Sequence, residues 1–221
     1  MSTVINSPEE RHIAMSVGTG STAEIIGGAA VIVLTILGLA NVAPGLMFAV
    51  ATIAIGIAIL FEGGSVAVEY SQLVNRTADN TLQTVELGSG MTIEMAAGIA
   101  GIVLGVLSLL GIVPLILTAS AVIVYGVALM LSSGMTLRMN DLKFEETADT
   151  HPRAQKLAHE AINASVGTQI LIGLSASVLG ILALVGVAPA VLVLVALLAI
   201  GASLLLSGGA VGGRILSMFR R

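Results

Sequence analysis

Two carboxylates in apolar surroundings are the residues of this sequence best suited to do chemistry. Glu24 and Glu94 each stand at the same distance before a proline, and Gln169 has the same position before a third proline. Carboxylates are costly to bury near a membrane interior, and there they commonly line ion paths, proton relays or polar cavities. If the three segments surround one axis, two carboxylates and one amide converge, which predicts a small polar or ion site.

A capping role is the competing interpretation of both glutamates. Ser21 and Glu24 match a capping box, and Glu94 follows Thr92 in the first turn of a predicted helix. A carboxylate in a first turn interacts favourably with the helix dipole and stays within reach of interfacial water. On this interpretation the two glutamates stabilise helix ends and bind nothing.

Glu62 is a further candidate for the polar site. It ends a predicted helix, where a carboxylate opposes the dipole. Its counterparts in the other two segments are Ser132 and Ser207. This loss of symmetry argues against an essential threefold site, and a solvated carboxylate is the simpler interpretation.

No metal or cofactor site is predicted. The chain has no cysteine, so thiolate ligands and disulfides are excluded. His151 and His159 are two helical turns apart, whereas helical histidines that share a metal are typically one turn apart. The remaining histidine is His12. Nucleophile–base sets and phosphate loops are also missing, which favours a non-enzymatic protein over the third-ranked hypothesis of an intramembrane enzyme.

Three prolines set the positions of these residues. Pro44, Pro114 and Pro189 recur at nearly equal intervals along the chain. Each proline divides a long uncharged apolar run into two halves of helical length, and proline suits the first turn of the second half. The six runs are about 26–41, 45–61, 95–111, 115–131, 170–186 and 190–206. They predict three antiparallel helical hairpins.

Glycines keep the same register as the prolines. One glycine precedes each proline at a constant distance, and another follows each proline at a constant distance: Gly28, Gly98, Gly173 and Gly56, Gly126, Gly201. This agreement indicates an internal triplication with repeats at about 8–79, 80–149 and 150–221, within a single membrane domain, 1–221. Small residues let membrane helices approach closely, so we expect these glycines to lie at helix contacts.

The composition predicts lipid as the solvent of this chain. It is 56% hydrophobic and 10% charged, with a mean hydropathy of +1.05, whereas soluble domains carry about 25% charged residues. The net charge of −4 argues against nucleic acid as a partner. The predicted fold class is all-α: a polytopic membrane protein with six short transmembrane helices as three tandem hairpins, plus short interfacial helices near 8–17, 80–88 and after Pro152.

Basic residues predict the orientation in the membrane. All nine lie in the termini and the two long connectors, and none lies at a prolyl turn: Arg11, Arg76, Arg138, Lys143, Arg153, Lys156, Arg214, Arg220 and Arg221. The positive-inside rule then places the N- and C-termini in the cytoplasm of a multi-pass protein of the inner (plasma) membrane. Because the apolar runs are short, hairpins that enter without fully crossing are the minority alternative.

The hairpin pattern resembles the repeat of the HdeD-like bacterial membrane proteins. The likeness is carried by 98–105, Gly-Ile-Ala-Gly-Ile-Val-Leu-Gly, through Pro114 to Gly126. It covers the hairpins, roughly half of the chain, and the long connectors between the hairpins depart from it. The resemblance implies a six-helix inner-membrane protein associated with acid stress, and it transfers no functional residue.

Two functions follow from these observations. The first is a self-associating membrane module or a subunit of a membrane complex, because packing residues are abundant and polar residues inside the helices are scarce. The second is a small channel or transporter for protons or a small solute, in which Glu24 and Glu94 line the path and the internal repeat supplies the architecture. Expected partners are the lipid bilayer, further copies of the chain or other membrane subunits.

Overall fold

The computed structural model describes the backbone of residues 8–76, 81–146 and 152–219 and the side chains of residues 22–62, 93–133 and 167–209. Within these ranges the chain is helical and contains no strand. The helices are α1 (Pro8–Leu39), α2 (Pro44–Arg76), α3 (Thr81–Leu109), α4 (Pro114–Glu146), α5 (Pro152–Leu184) and α6 (Pro189–Phe219). This arrangement confirms the predicted all-α class.

The apolar segments of these helices are suited to a bilayer. Five are long and apolar enough to cross a membrane: Thr22–Leu39, Pro44–Glu62, Pro114–Ser133, Gly167–Leu184 and Pro189–Gly209. The shortest of them rises about 27 Å along its axis, close to the hydrocarbon thickness of about 30 Å. The described part of α3 contributes a shorter apolar segment, Ile93–Leu109. The protein is therefore a multi-pass integral membrane protein.

The helices differ from the sequence prediction at the ends away from the prolyl turns. The sequence predicts interfacial helices at 8–17, at 80–88 and after Pro152. Residues 8–17, 81–88 and those that follow Pro152 are not separate elements but the first turns of α1, α3 and α5. The physical reason is that no proline interrupts these runs, and a lone glycine costs a helix only about 1 kcal/mol. The connectors at 77–80 and 147–151, with His151, lie outside the described residues.

The three hairpins turn in the same way. In the first, Asn41 N–H donates to the Gly38 carbonyl and Val42 N–H donates to the Leu37 carbonyl, both at 3.0 Å. These two bonds form a Schellman motif, which satisfies the last carbonyls of the helix. The equivalent bonds recur in the second and third hairpins. The left-handed residue of the motif is Asn41 (φ 64°), Gly111 (φ 82°) or Gly186 (φ 94°).

The second helix of every hairpin begins at its proline, as predicted. The residue before each proline also has a positive φ: Ala43 (42°), Val113 (38°) and Ala188 (38°). Proline disfavours the right-handed helical region for the residue that precedes it. The carbonyl of that residue nevertheless accepts the first hydrogen bonds of the new helix, such as that from Leu117 to Val113 at 3.2 Å. The chain thus reverses direction within a few residues.

The helices close into a ring. We call the first helix of each hairpin (α1, α3, α5) its outer helix and the second (α2, α4, α6) its inner helix. Each outer helix packs against the inner helix of its own hairpin and also against that of the preceding hairpin: α3 against α2, α5 against α4 and, closing the ring, α1 against α6. The three inner helices α2, α4 and α6 also contact one another. In consequence the hairpins surround a common axis, and the bundle is completed within a single chain.

The inner helices fill the axis with side chains from equivalent positions. Four layers lie along one stripe of each helix, spaced as expected for a helix face. They are Phe48/Thr118/Val193, Thr52/Val122/Leu197, Ile55/Tyr125/Ile200 and Ile59/Leu129/Leu204. Every one of these side chains is buried. A solid core therefore occupies the centre of the bundle.

Glycine pairs bring the hairpins together. A Cβ added to Gly56 would lie 2.8 Å from the Gly98 carbonyl oxygen. At Gly126 it would lie 2.5 Å from the Gly173 carbonyl oxygen, and at Gly28 it would lie 2.7 Å from the Gly201 carbonyl oxygen. Such distances exclude any side chain, because real Cβ atoms do not approach carbonyls so closely. Each pair joins an outer helix to the inner helix of a neighbouring hairpin.

Candidate functional site, a polar ring at one end of the bundle

The apolar stripe of the inner helices ends in a polar layer. Three residues after the Ile59/Leu129/Leu204 layer, the same face of the inner helices α2, α4 and α6 carries Glu62, Ser132 and Ser207, respectively. The outer helices place Glu24, Glu94 and Gln169 one turn before their packing glycines. We call these six residues the polar ring. It lies at the end of the bundle away from the prolyl turns.

Glu24 is the most deeply buried member of the polar ring, with 6% of its surface exposed. The Ser207 hydroxyl of α6 donates a hydrogen bond to its carboxylate, and Glu94 is within electrostatic range. The Oε2 atom of Glu24 is buried and has no hydrogen-bond partner. A buried carboxylate oxygen without a donor is costly, so a proton or a ligand that supplies a hydrogen bond would stabilise it.

The other two carboxylates are half-buried beside Glu24. Ser132 of α4 donates a hydrogen bond to Glu94. Glu62 interacts electrostatically with both Glu94 and Glu24. Three carboxylates from three helices therefore share one site, and their mutual repulsion in a poorly solvated region disfavours a state in which all three are ionised.

The third hairpin contributes neutral groups to the polar ring. The single hydroxyl proton of Ser133, on α4, is shared between Gln169 Oε1 at 3.1 Å and the Leu129 carbonyl at 2.6 Å. Gln169 and Ser207 line a cavity between α5 and α6. One side of the ring is thus acidic, and the other side carries an amide and hydroxyls next to an open space.

Buried hydroxyls deeper in the membrane segments have local partners. Thr35, Thr52, Thr118 and Ser177 each donate to a carbonyl one turn earlier in the same helix, at 2.7–2.9 Å. This arrangement is the usual way in which a hydroxyl is satisfied inside an apolar helix. Among the buried side-chain atoms of the described segments, only Glu24 Oε2 has no such partner. The unmet hydrogen-bonding capacity is therefore concentrated in the polar ring.

No basic side chain of the chain belongs to the segments that form the ring. All nine Lys and Arg residues lie outside 22–62, 93–133 and 167–209. In those same segments no group of three His, Asp or Glu side chains is arranged to hold a metal ion. Glu24, Glu62 and Glu94 are therefore the only formally charged residues of these three segments.

The structure brings the candidate residues of the sequence analysis to one place. The three outer helices contribute Glu24, Glu94 and Gln169. Glu62 lies close to these residues, although a carboxylate in contact with solvent was its simpler interpretation from the sequence. The signal for Glu62 was present in the inner stripe, whose spacing 48, 52, 55, 59, 62 points all of these residues to one face. His12 and His159 have side chains outside the described residues.

Several polar neighbours were not singled out from the sequence. They are Ser133, Thr168 and Ser203, which lie beside the ring or line the cavity. Isolated hydroxyl residues in apolar helices usually bond their own backbone, so their types alone carry no functional signal. Comparing the hairpins position by position would have found Thr168 and Ser203, because both are polar in the third hairpin only.

Comparison with known proteins does not assign a family. No protein-family model matches the chain, and no match to it is found among curated proteins or solved structures.

Proposed function

We propose that this protein is a non-enzymatic transporter of the inner (plasma) membrane that exchanges protons or a small solute through the polar ring. The observation that carries the proposal is the convergence of Glu24, Glu62 and Glu94 around a buried carboxylate oxygen without a donor. The positive-inside rule supports a ring that faces the cytoplasm. The repeated hairpin with its matching turns and glycines supports triplication as the origin of the architecture.

The filled axis defines what kind of transporter the proposal requires. Ile55, Tyr125 and Ile200 are fully buried where the inner helices meet. A continuous aqueous pore is incompatible with that layer, so passage requires a second conformation that opens the other side. We therefore propose alternating exposure of the ring, and we do not propose an open channel.

Proton flux into liposomes tests this function. Purified protein is reconstituted with a pH-sensitive dye inside, and a potassium diffusion potential drives proton entry. We expect flux above that of empty liposomes, and we expect the double change Glu24→Gln and Glu94→Gln to abolish it because both titratable groups become amides. Glu9→Gln, in the first turn of α1, is the matched control and should retain the wild-type flux.

Two outcomes would contradict the proposal. Flux that survives the double change removes Glu24 and Glu94 from the path. A wild-type flux equal to that of empty liposomes excludes proton exchange under the imposed gradient. Dye calibration and reconstitution yields for each variant separate these outcomes from a loss of protein.

Self-association stays a prediction, and native mass in mild detergent is its test. The packing glycines that suggested it form pairs within the chain, Gly28 with Gly201 among them. They are therefore used inside the bundle and give no reason for contacts between copies. A role in stress, suggested by the resemblance to HdeD-like proteins, likewise stays a prediction.

A further inference from the structure

A cavity separates the two helices of the third hairpin. It has a volume of about 160 Å³ and lies at the level of the polar ring, lined by Thr168, Gln169, Ile172, Ser203, Leu206 and Ser207. A cavity of this size is comparable with one that holds benzene, so it accommodates a ligand of about six non-hydrogen atoms. α5 packs more extensively against α4 than against α6, which leaves the space open.

The residues that line the cavity depart from the other two hairpins where the cavity lies. Thr168 stands at the position of Ala23 and Ile93. Ser203 stands at the position of Ala58 and Ala128. Two hydroxyls thus replace apolar side chains only in the hairpin that contains the cavity. These hydroxyls add hydrogen-bonding groups to the wall of the cavity.

The charge of the surroundings indicates the sign of the ligand. The Ser207 hydroxyl lines the cavity and also donates to Glu24, whose second oxygen lacks a donor. Glu94 and Glu62 interact electrostatically with Glu24. A cationic donor in the cavity would be attracted by all three carboxylates. An anion would be repelled by them.

The side chains that line the cavity indicate the size and the apolar part of the ligand. Ile172 and Leu206 provide apolar surface, and the hydroxyls with the Gln169 amide provide hydrogen-bond acceptors. A bare monovalent metal ion would leave most of the volume empty. An ion with a short alkyl chain fills the apolar part and places its N–H groups on the oxygens.

We propose that the cavity between α5 and α6 binds a small alkylammonium ion, with the ammonium group beside Ser207 and the alkyl chain against Ile172 and Leu206. The inference rests on the proposed function, since it names the class of solute that the acidic ring accepts. It adds to the proposed function the location of the binding site, which is the cavity of the third hairpin and not the axis of the bundle.

Binding of n-butylammonium chloride to the purified protein in nanodiscs tests the proposal. Affinity is measured by calorimetry against empty nanodiscs, with 1-butanol as the neutral probe of similar shape. We expect butylammonium to bind at least about tenfold more tightly than butanol, as a charge-assisted hydrogen bond implies. Equal affinities for the two probes, or no binding of butylammonium, would overturn the proposal.

Two kinds of variant locate the site. Ser203→Leu fills the cavity and should abolish binding. Ser203→Ala, which restores the residue of the other hairpins, removes one hydrogen-bond acceptor and should only weaken binding, by about tenfold or less. Ile172→Phe fills the cavity from the opposite wall and provides a second test in case Ser203→Leu fails to fold. Binding that survives both filling variants would overturn the assignment.

Glu24→Gln tests the role of charge. It should remove the preference for the cation and leave butanol binding unchanged.

The outcomes for this proposal and for proton exchange are distinguishable. The flux measurement contains no amine, and the binding measurement needs no gradient. Flux without butylammonium binding would overturn the cavity assignment and keep the ring as a proton path. Binding without flux would support the cavity and contradict the transport role.

Discussion

At the scale of single residues, Tyr125 and Gly101 show how the hairpins differ while keeping one packing plan. The Tyr125 hydroxyl donates to the Thr52 carbonyl at 2.7 Å. A Cβ on Gly101 would collide with that same phenol group. The equivalent pairs are Ile55 with Val31 and Ile200 with Ala176. A larger side chain on the inner helix is thus matched by a smaller one on the outer helix.

This complementarity predicts a rescue. Gly101→Ala should destabilise the protein by about 1–3 kcal/mol, because the new methyl group overlaps the phenol. Adding Tyr125→Ile recreates the Ala176/Ile200 pair of the third hairpin and should recover most of the loss. Unfolding of the single and double variants in detergent measures the coupling between the two sites. Strictly additive effects would show that the two positions are independent.

At the scale of helices, the pairing between hairpins depends on glycine contacts. Gly126 of α4 and Gly173 of α5 approach so closely that a Cβ on either residue would lie 2.5 Å from the other's carbonyl oxygen. In a bilayer the solvent gives little hydrophobic drive for helix association, so close packing supplies the stabilisation. These contacts hold α5 to α4 and leave the opposite side of α5 free to border the cavity.

Gly126→Leu should therefore separate α5 from α4. We expect a loss of about 3 kcal/mol or more, because an overpacked contact between backbones cannot relax by moving a side chain. Gly167→Leu is the matched control, since a Cβ at Gly167 meets nothing within 4 Å. Thermal unfolding monitored by circular dichroism compares the two. Similar stability of both variants would contradict the role of the glycine contact.

The helices and turns followed from the sequence because proline and apolar runs act locally. Pro44, Pro114 and Pro189 begin their helices as predicted. The sequence could not identify which helix each packing glycine contacts. Periodicity identifies the buried face of a helix, but it does not identify the helix that packs against that face. The loss of symmetry at Glu62 favoured a solvated carboxylate, whereas its place on the inner stripe directs it to the polar ring. The cavity arises from the spacing of α5 and α6, which no local pattern encodes.

At the scale of the whole molecule, the ring of helices separates an apolar outside from a polar end. Ile26, Leu171 and Leu206 are among the large apolar side chains that remain mostly exposed, at 64–67%. Lipid is the natural environment for such a surface. The three carboxylates of the membrane segments, Glu24, Glu62 and Glu94, lie together in the polar ring.

The predicted orientation is testable because the chain has no cysteine of its own. Val42→Cys places one thiol at a prolyl turn, and Asn75→Cys places one near the end of α2. A membrane-impermeant maleimide added to intact cells should label the first variant, whereas the second should react only after permeabilisation. The reverse pattern would place the termini and the polar ring on the outer side.

The prolyl turns also bear on biogenesis. Each turn satisfies the last carbonyls of its first helix through the paired hydrogen bonds at residues such as Asn41 and Val42, and no turn carries a charged side chain. On the orientation predicted from the basic residues, a hairpin tip of this kind crosses the hydrocarbon with few unpaired backbone groups and carries no charge across the electric field. We therefore expect insertion of the three hairpins to be an electrically silent step, which proceeds equally well in an energised and in a de-energised membrane.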